Sequence, residues 1–97
     1  FKGASVPKDY AEAAKWFRKT AEQGDAYGQY NLGAMYGNGQ GVSQDVVRAH
    51  MWFNLAAAQG YEIARKNLDV AAKRMTPAQI RKAQKLAREW KPKKEGK

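Results

Sequence analysis

Apolar residues recur at helical spacing along most of this chain. Ala13, Trp16, Phe17 and Ala21 follow an i, i+3, i+4, i+8 pattern, which places them on one face of a helix. Capping residues and glycines flank such stripes and predict where helices start and stop. The predicted helices cover residues 9–23, 25–36, 45–58, 62–74 and 76–90. No strand-like alternation interrupts them, so the pattern predicts an all-α fold of about five helices.

Two of the predicted helix starts carry further signals. Asp9 is followed three residues later by Glu12, a spacing typical of a capping box. Thr76 precedes Pro77 and Gln79, which predicts an N-cap, a proline at the first helical position and another capping box. We therefore expect the first helix to open at Asp9 and the last at Thr76.

The chain contains an internal repeat with a period of 36 residues. At this offset 11 of 36 aligned pairs are identical, among them Trp16 with Trp52 and Phe17 with Phe53. A fixed period of this size predicts a solenoid of helix pairs that bury their apolar faces against neighbouring pairs. We expect Trp16 and Trp52 to be buried at equivalent places.

The second copy carries small, apolar and acidic residues at fixed spacing. They are Leu32, Gly33, Tyr36, Gly39, Gly41, Val42, Asp45, Ala49, Trp52, Ala56, Ala57 and Gly60. In this order they resemble the Sel1-like repeat (SLR) family, a relative of the tetratricopeptide repeat, and the resemblance covers residues 3–74. It implies a right-handed α–α superhelix, that is, a solenoid of helical hairpins.

The resemblance also implies how the chain is organised. A domain over residues 1–90 divides into successive units, followed by a basic tail over residues 91–97 that is too polar to pack and is expected to be disordered. The units are a partial repeat at 1–24, a full repeat at 25–60, a degenerate repeat at 61–75 and a capping helix at 76–90.

Both ends of the repeat region depart from the family pattern. The first unit lacks the helix that should precede Gly3, and the last has Asp69 and Ala72 where the full repeat has Gly33 and Tyr36. We expect the open first end to pack on upstream repeats of a longer array or to associate end to end with another chain. The resemblance favours a periplasmic or secreted location, although no leader is visible at Phe1.

Composition removes most catalytic chemistry. The chain has no cysteine and one histidine, His50, so we expect no metal site, no cofactor and no thiol catalysis. The glycines around Gly39 follow a helix and have the wrong spacing for a phosphate loop. We interpret His50 as a core or surface residue, and the domain as non-catalytic.

The concave wall of the predicted solenoid is the expected binding surface, because stacked helix pairs form a groove lined by the first helix of each pair. The candidate groove residues are Tyr27, Tyr30, Asn31, Lys66, Asn67 and Lys73. Asn31 and Asn67 are repeat-equivalent, and their amides are expected either to hold a peptide backbone or to make hydrogen bonds within the fold. The lysines favour an acidic partner.

Positive charge is concentrated in the C-terminal third. The chain carries a formal charge of +9, and residues 62–97 hold twelve basic and four acidic residues of the total. The last predicted helix places four of these cations on its outer face: Arg81, Lys82, Lys85 and Arg88. Such a basic patch is expected to be a solvated face or to attract an acidic protein, a nucleic acid or a membrane surface. Nucleic acid is disfavoured, because nothing in this helix reads bases.

Three functions follow from these features. The first is a non-catalytic scaffold that binds a peptide or partner protein in the concave groove. The second is a ligand-binding or hydrolytic protein that acts on cell-wall material, and the third is electrostatic binding of nucleic acid through the basic patch. The first is favoured, because no nucleophile and base come together in the sequence.

Overall fold

The computed structural model describes residues 6–93, which form five α-helices. In chain order these are α1 (Val6–Glu22), α2 (Ala26–Asn38), α3 (Val46–Ala58), α4 (Glu62–Ala72) and α5 (Pro77–Glu89). No strand occurs within residues 6–93, and the protein is an all-α helical repeat solenoid as predicted. Over the same span, every helix is too short or too polar to cross a bilayer.

The full repeat begins its two helices where its sequence predicts, and α2 continues two residues past its predicted end at Tyr36. The Asp25 carboxylate accepts a hydrogen bond of 2.9 Å from the Gly28 N–H, and that of Asp45 accepts one of 3.1 Å from the Arg48 N–H. Each bond satisfies an N–H group that the first turn of a helix leaves without a partner. Gly39 closes α2 in the left-handed conformation, with φ of +67°.

The predicted start of α1 at Asp9 is wrong. The helix begins at Val6, so Asp9 lies in the first turn instead of capping it. Pro7 does not prevent this earlier start, because the first turn of a helix needs no N–H donor from proline. The carboxylate of Asp9 still lies near the positive end of the helix dipole. At the other end of the chain, Thr76 caps α5 with the predicted capping box.

Neighbouring helices pack in sequence, α1 on α2, α2 on α3 and α3 on α4. The main core cluster joins α2 to α3 through Leu32, Tyr36, Trp52 and Phe53, all buried. Gly33 lets these two helices cross closely, because a Cβ atom there would lie 2.9 Å from Cδ1 of Phe53. A side chain at this position would therefore force the two helices apart.

A small polar network connects successive repeats. The fully buried Gln29 of α2 donates a hydrogen bond of 3.3 Å to the Ala21 carbonyl at the end of α1. Its side-chain oxygen, Oε1, accepts a bond of 3.0 Å from Nε2 of Gln59, which also donates to the Gly24 carbonyl at 2.9 Å. Because each buried group has a partner, this network fixes how α1 sits against α2 and α3.

The last helix leaves the repeat pattern. α5 packs mainly on α3, whereas the repeat pattern would pair it with α4. Only four residues (73–76) connect it to α4, compared with the seven residues (39–45) between α2 and α3. In addition, Asp69 occupies the position at which Gly33 allows close crossing in α2. The short connection and the charged side chain at the crossing point both disfavour packing of α5 against α4.

The segment after α5 returns to the end of α1. The ring of Trp90 packs edge-on against Trp52, with centroids 6.0 Å apart. The Lys93 N–H donates to the Glu22 carbonyl at 2.7 Å, and its ammonium lies 3.2 Å from the Glu22 carboxylate. Residues 91–93 therefore contact the repeat domain, whereas residues 94–97 of the predicted disordered tail lie outside the described residues.

Trp16 and Trp52 do not have equivalent environments, so one of the two burial predictions is wrong. Trp52 is 5% exposed, as predicted, whereas Trp16 is 57% exposed. Trp52 is covered by Trp90 and α5, and no described helix occupies the equivalent place beside Trp16. The two tryptophans therefore occupy equivalent positions on their own helices but contact different neighbours.

Candidate functional site

A pocket lies between α2 and α4, with α3 behind it. Its volume is about 120 Å³. The residues that line it are Ala34, Gly37 and Asn38 of α2, Val46, Ala49 and Phe53 of α3, and Asn67, Val70, Ala71 and Arg74 on or just after α4. The pocket is thus formed by three helices that the repeat sequence brings together.

The pocket combines an apolar floor with polar groups from its edges. Ala49 and Phe53 are buried, whereas Asn38, Val70 and Arg74 are exposed. An apolar surface with a few directed polar groups is typical of a peptide- or ligand-binding pocket. Within residues 9–93 the Arg74 guanidinium forms no ion pair, so it remains available to an anionic group.

The two repeat-equivalent asparagines adopt the same local arrangement. Nδ2 of Asn31 donates to the Tyr27 carbonyl at 2.9 Å, and Nδ2 of Asn67 donates to the Ile63 carbonyl at 2.8 Å. Each bond joins the amide to its own helix one turn earlier, which orients the side chain. In the described part of the chain neither amide makes a further hydrogen bond, so a peptide-binding role stays a prediction for both.

The structure separates the other predicted groove residues from this pocket. Tyr27 and Tyr30 lie near the start of α2, where their ring centroids are 6.5 and 5.4 Å from that of Tyr61. Lys66 and Lys73 are exposed but do not line the pocket. Of the six predicted groove residues, only Asn67 lines it.

Asn38, Val46 and Arg74 are among the pocket residues that were not predicted from the sequence to line a groove. Arg74 lies seven residues after Asn67, a spacing that returns to the same face of a helix. Helical periodicity alone could therefore have identified Arg74. Asn38 and Val46 flank the loop between α2 and α3, whose path has no such periodic signal.

The basic patch on α5 has the geometry predicted from the sequence. Arg81, Lys82, Lys85 and Arg88 are all exposed, whereas Ala83 is fully buried against the domain. Among the described residues none of these four cations takes part in an ion pair. This face is a second candidate surface, distinct from the pocket.

His50 lies in the core. It is 4% exposed, and its Nδ1 atom has no hydrogen-bond partner among residues 6–93. Burial lowers the pKa of this imidazole from its ordinary value of 6.5, because desolvation penalises the charged form. No group of three or more histidine, cysteine, aspartate or glutamate side chains suitable for a metal ion occurs in the described part of the chain.

Burial of His50 predicts a pH dependence of stability. The unfolded chain protonates this residue near pH 6.5, whereas the folded chain does so only at lower pH. The unfolded state therefore binds more protons in this window, and the free energy of unfolding should fall as pH drops below about 6.5. Urea titrations of the wild type and of His50→Gln at several pH values would measure this fall in the free energy of unfolding. Equal slopes between about pH 5 and 7 in the two proteins would contradict this assignment.

Two comparisons with known proteins indicate the same family. The family model of the Sel1 repeat matches residues 1–25 and 26–61. The crystal structure of c5321, a protective antigen present in uropathogenic Escherichia coli strains and displaying an SLR fold, is similar with a TM-score of 0.81 and 36% sequence identity. The match covers 86% of this chain and 18% of that one. No curated protein is similar enough to count as a match.

Proposed function

Since the chain belongs to the Sel1 repeat family, whose repeats generally mediate protein–protein interaction, we propose that it binds an acidic peptide segment in the pocket between α2 and α4. The observation that carries this proposal is the position of Asn67 and Arg74 beside an apolar floor formed with Phe53. An extended segment would place an apolar side chain on this floor and a carboxylate against Arg74.

The charge around the pocket favours an acidic partner. Lys66, Lys73 and Arg74 lie on or just after α4, and Asp69 is the acidic residue among them. All four side chains are exposed, so their field extends into solvent. Such a field speeds the approach of an oppositely charged segment and weakens as salt is added.

The proposal is tested by selecting short random peptides on the wild-type chain and measuring the affinity of a selected peptide by fluorescence anisotropy. We expect the selected peptides to be rich in Asp and Glu. Arg74→Glu should weaken binding about tenfold or more, a loss of about 1.4 kcal/mol. Asn67→Ala should weaken it less, because only one hydrogen bond to the peptide is lost.

Arg81→Glu is the matched control, because it makes the same charge change at an exposed arginine of α5. It should leave the affinity nearly unchanged apart from a small general electrostatic effect. If Arg81→Glu weakens binding as strongly as Arg74→Glu, the partner does not sit in the pocket.

The basic patch supports a second candidate function, electrostatic binding of an acidic surface or of nucleic acid. Its support is the absence of ion pairs among the described residues at Arg81, Lys82, Lys85 and Arg88. Binding through this patch would be lost in Arg81→Glu with Arg88→Glu, retained in Arg74→Glu, and strongly dependent on salt.

Catalysis on cell-wall material has less support. The Sel1 repeat family is typically a non-enzymatic scaffold. The chain's one histidine, His50, is buried, where it cannot reach a substrate in the pocket without a rearrangement of the core. We therefore place recognition of a partner ahead of hydrolysis.

A further inference from the structure

A second cavity lies between α3 and α5 and shares no lining residue with the pocket between α2 and α4. Its volume is about 370 Å³, and small-molecule sites measure about 300–1,000 Å³. Met51 and Trp52, both buried, line it from α3. Leu86 and Trp90, both half-buried, line it from the α5 side. The cavity therefore offers an apolar interior of a size that suits a small ligand.

The angle between the two tryptophans shapes this cavity. The ring of Trp90 meets that of Trp52 edge-on, with 74° between the two planes. Rings at this angle enclose a wedge, because they cannot stack flat on each other. The segment after Trp90 is itself held in place, since the Lys93 N–H donates to the Glu22 carbonyl at 2.7 Å. The cavity thus results from the way α5 and the residues after it pack on α3 and α1.

The charged residues at the rim of the cavity leave an excess of one cation. The Lys93 ammonium lies 3.2 Å from the Glu22 carboxylate, so these two charges neutralise each other. Lys91 and Glu89 are both exposed, and neither forms an ion pair among residues 9–93. Arg48 is the remaining charged residue of the rim. The rim therefore favours a negatively charged ligand.

Arg48 retains groups that can bind an anion although it already contacts Asp45. Its Nε atom lies 3.3 Å from an Asp45 carboxylate oxygen, and this contact leaves the terminal N–H groups of the guanidinium to a second partner. The guanidinium carbon also lies 6.0 Å from the centroid of the Tyr36 ring, a contact that favours this position of the side chain. A guanidinium in a preferred position pairs well with a carboxylate, because both groups are planar.

We propose that the cavity between α3 and α5 binds a small amphipathic anion, that is, an aromatic body with one carboxylate. The aromatic body lies against Trp52 and Trp90, where rings pack favourably edge-on or offset. The carboxylate pairs with Arg48, and Lys91 adds to the positive field at the rim. A ligand bound here does not compete with a peptide in the pocket between α2 and α4.

The proposal is tested with diphenylacetate, an aromatic carboxylate, and with its neutral analogue diphenylacetamide. Each compound is titrated into the isotope-labelled chain, whose three tryptophans give three indole N–H signals. We expect diphenylacetate to shift the signals of Trp52 and Trp90 and to leave that of Trp16 unmoved. The amide should bind about tenfold or more weakly, because it lacks the charge that pairs with Arg48.

Three variants test the role of the rim. Arg48→Gln should weaken the binding of diphenylacetate about tenfold, to the level of the amide. Arg18→Gln is the matched control, because the Arg18 guanidinium lies 5.9 Å from the centroid of the same Tyr36 ring but does not line the cavity. It should leave the affinity nearly unchanged. Glu89→Gln should strengthen binding about two- to threefold, since it removes a like charge from the rim, and a misfolded variant cannot produce such a gain.

Circular dichroism of each variant confirms that it is folded before the affinities are compared. The proposal is overturned if millimolar diphenylacetate leaves the signals of Trp52 and Trp90 unmoved. It is also overturned if the carboxylate and the amide bind equally well, or if Arg18→Gln weakens binding as strongly as Arg48→Gln.

Discussion

Replacing Trp52 with alanine is expected to lower the free energy of unfolding by about 3–5 kcal/mol. The Trp52 side chain is 5% exposed and belongs to the core cluster that joins α2 to α3. It also supports Trp90, and through it the packing of α5 on α3. The truncation removes a large buried surface and leaves a cavity at the point where three helices meet.

Trp16→Ala is the matched control, because it makes the same change at the repeat-equivalent position. Trp16 is 57% exposed, so the cost should be about 1 kcal/mol or less. Urea denaturation followed by circular dichroism gives both values under one condition. Equal losses in the two variants would mean that the two tryptophans contribute equally to the free energy of unfolding and that the packing described around Trp52 is wrong.

Gly41→Ala should have the second-largest effect, a loss of about 2–4 kcal/mol. Gly41 has φ of +77°, and a Cβ atom there would lie 2.7 Å from the carbonyl carbon of Tyr10 and 3.1 Å from Cβ of Ala14. The added methyl group would therefore strain the loop between α2 and α3 and push α1 away from it.

Gly60→Ala separates the cost of backbone strain from the cost of steric contact with α1. Gly60 has φ of +90°, but a Cβ atom there would have no neighbour within 4 Å. Its cost should be limited to backbone strain, about 1–2 kcal/mol. Chemical denaturation of both variants measures the difference. If the two losses are the same, the loop at Gly41 does not hold α1 in the position described.

The repeated residues made the central helices predictable. Asp25 and Asp45 each precede an apolar stripe, and both cap a helix through a local hydrogen bond that depends on nearby residues alone. The close crossing at Gly33 was also predictable, because glycine at that position leaves room for a neighbouring helix. Features that depend on neighbouring residues or on the repeat itself are thus recovered from the sequence.

Features that depend on a particular neighbour were not recovered. Trp16 and Trp52 occupy the same repeat position, yet only Trp52 meets α5. The path of α5 depends on a short connection and on Asp69, whose combined effect the helical pattern of α5 does not encode. Periodicity placed the four cations of α5 on its outer face without indicating which helix its inner face would contact.

The residues of the pocket were predicted only in part. Asn67, one of the predicted groove residues, lines the pocket, whereas Tyr27 and Tyr30 belong to an aromatic cluster near the start of α2. Arg74 was not predicted, because the groove residues were chosen near positions that are identical in the two repeats. Arg74 lies after the last identical pair. The polar group with the clearest chemical role in the pocket is therefore one whose repeat counterpart, Asn38, is a different residue.

A chemical-shift map of the isotope-labelled chain, titrated with a peptide selected on it, tests the central claim most directly. We expect the largest changes at Ala34, Asn67, Val70 and Arg74, with a shift of the Asn67 side-chain amide as well. The signals of Arg81 and Arg88 should change little. Largest changes on α5, with the signals of Ala34 and Asn67 unmoved, would contradict binding in the pocket and assign the interaction to the basic patch.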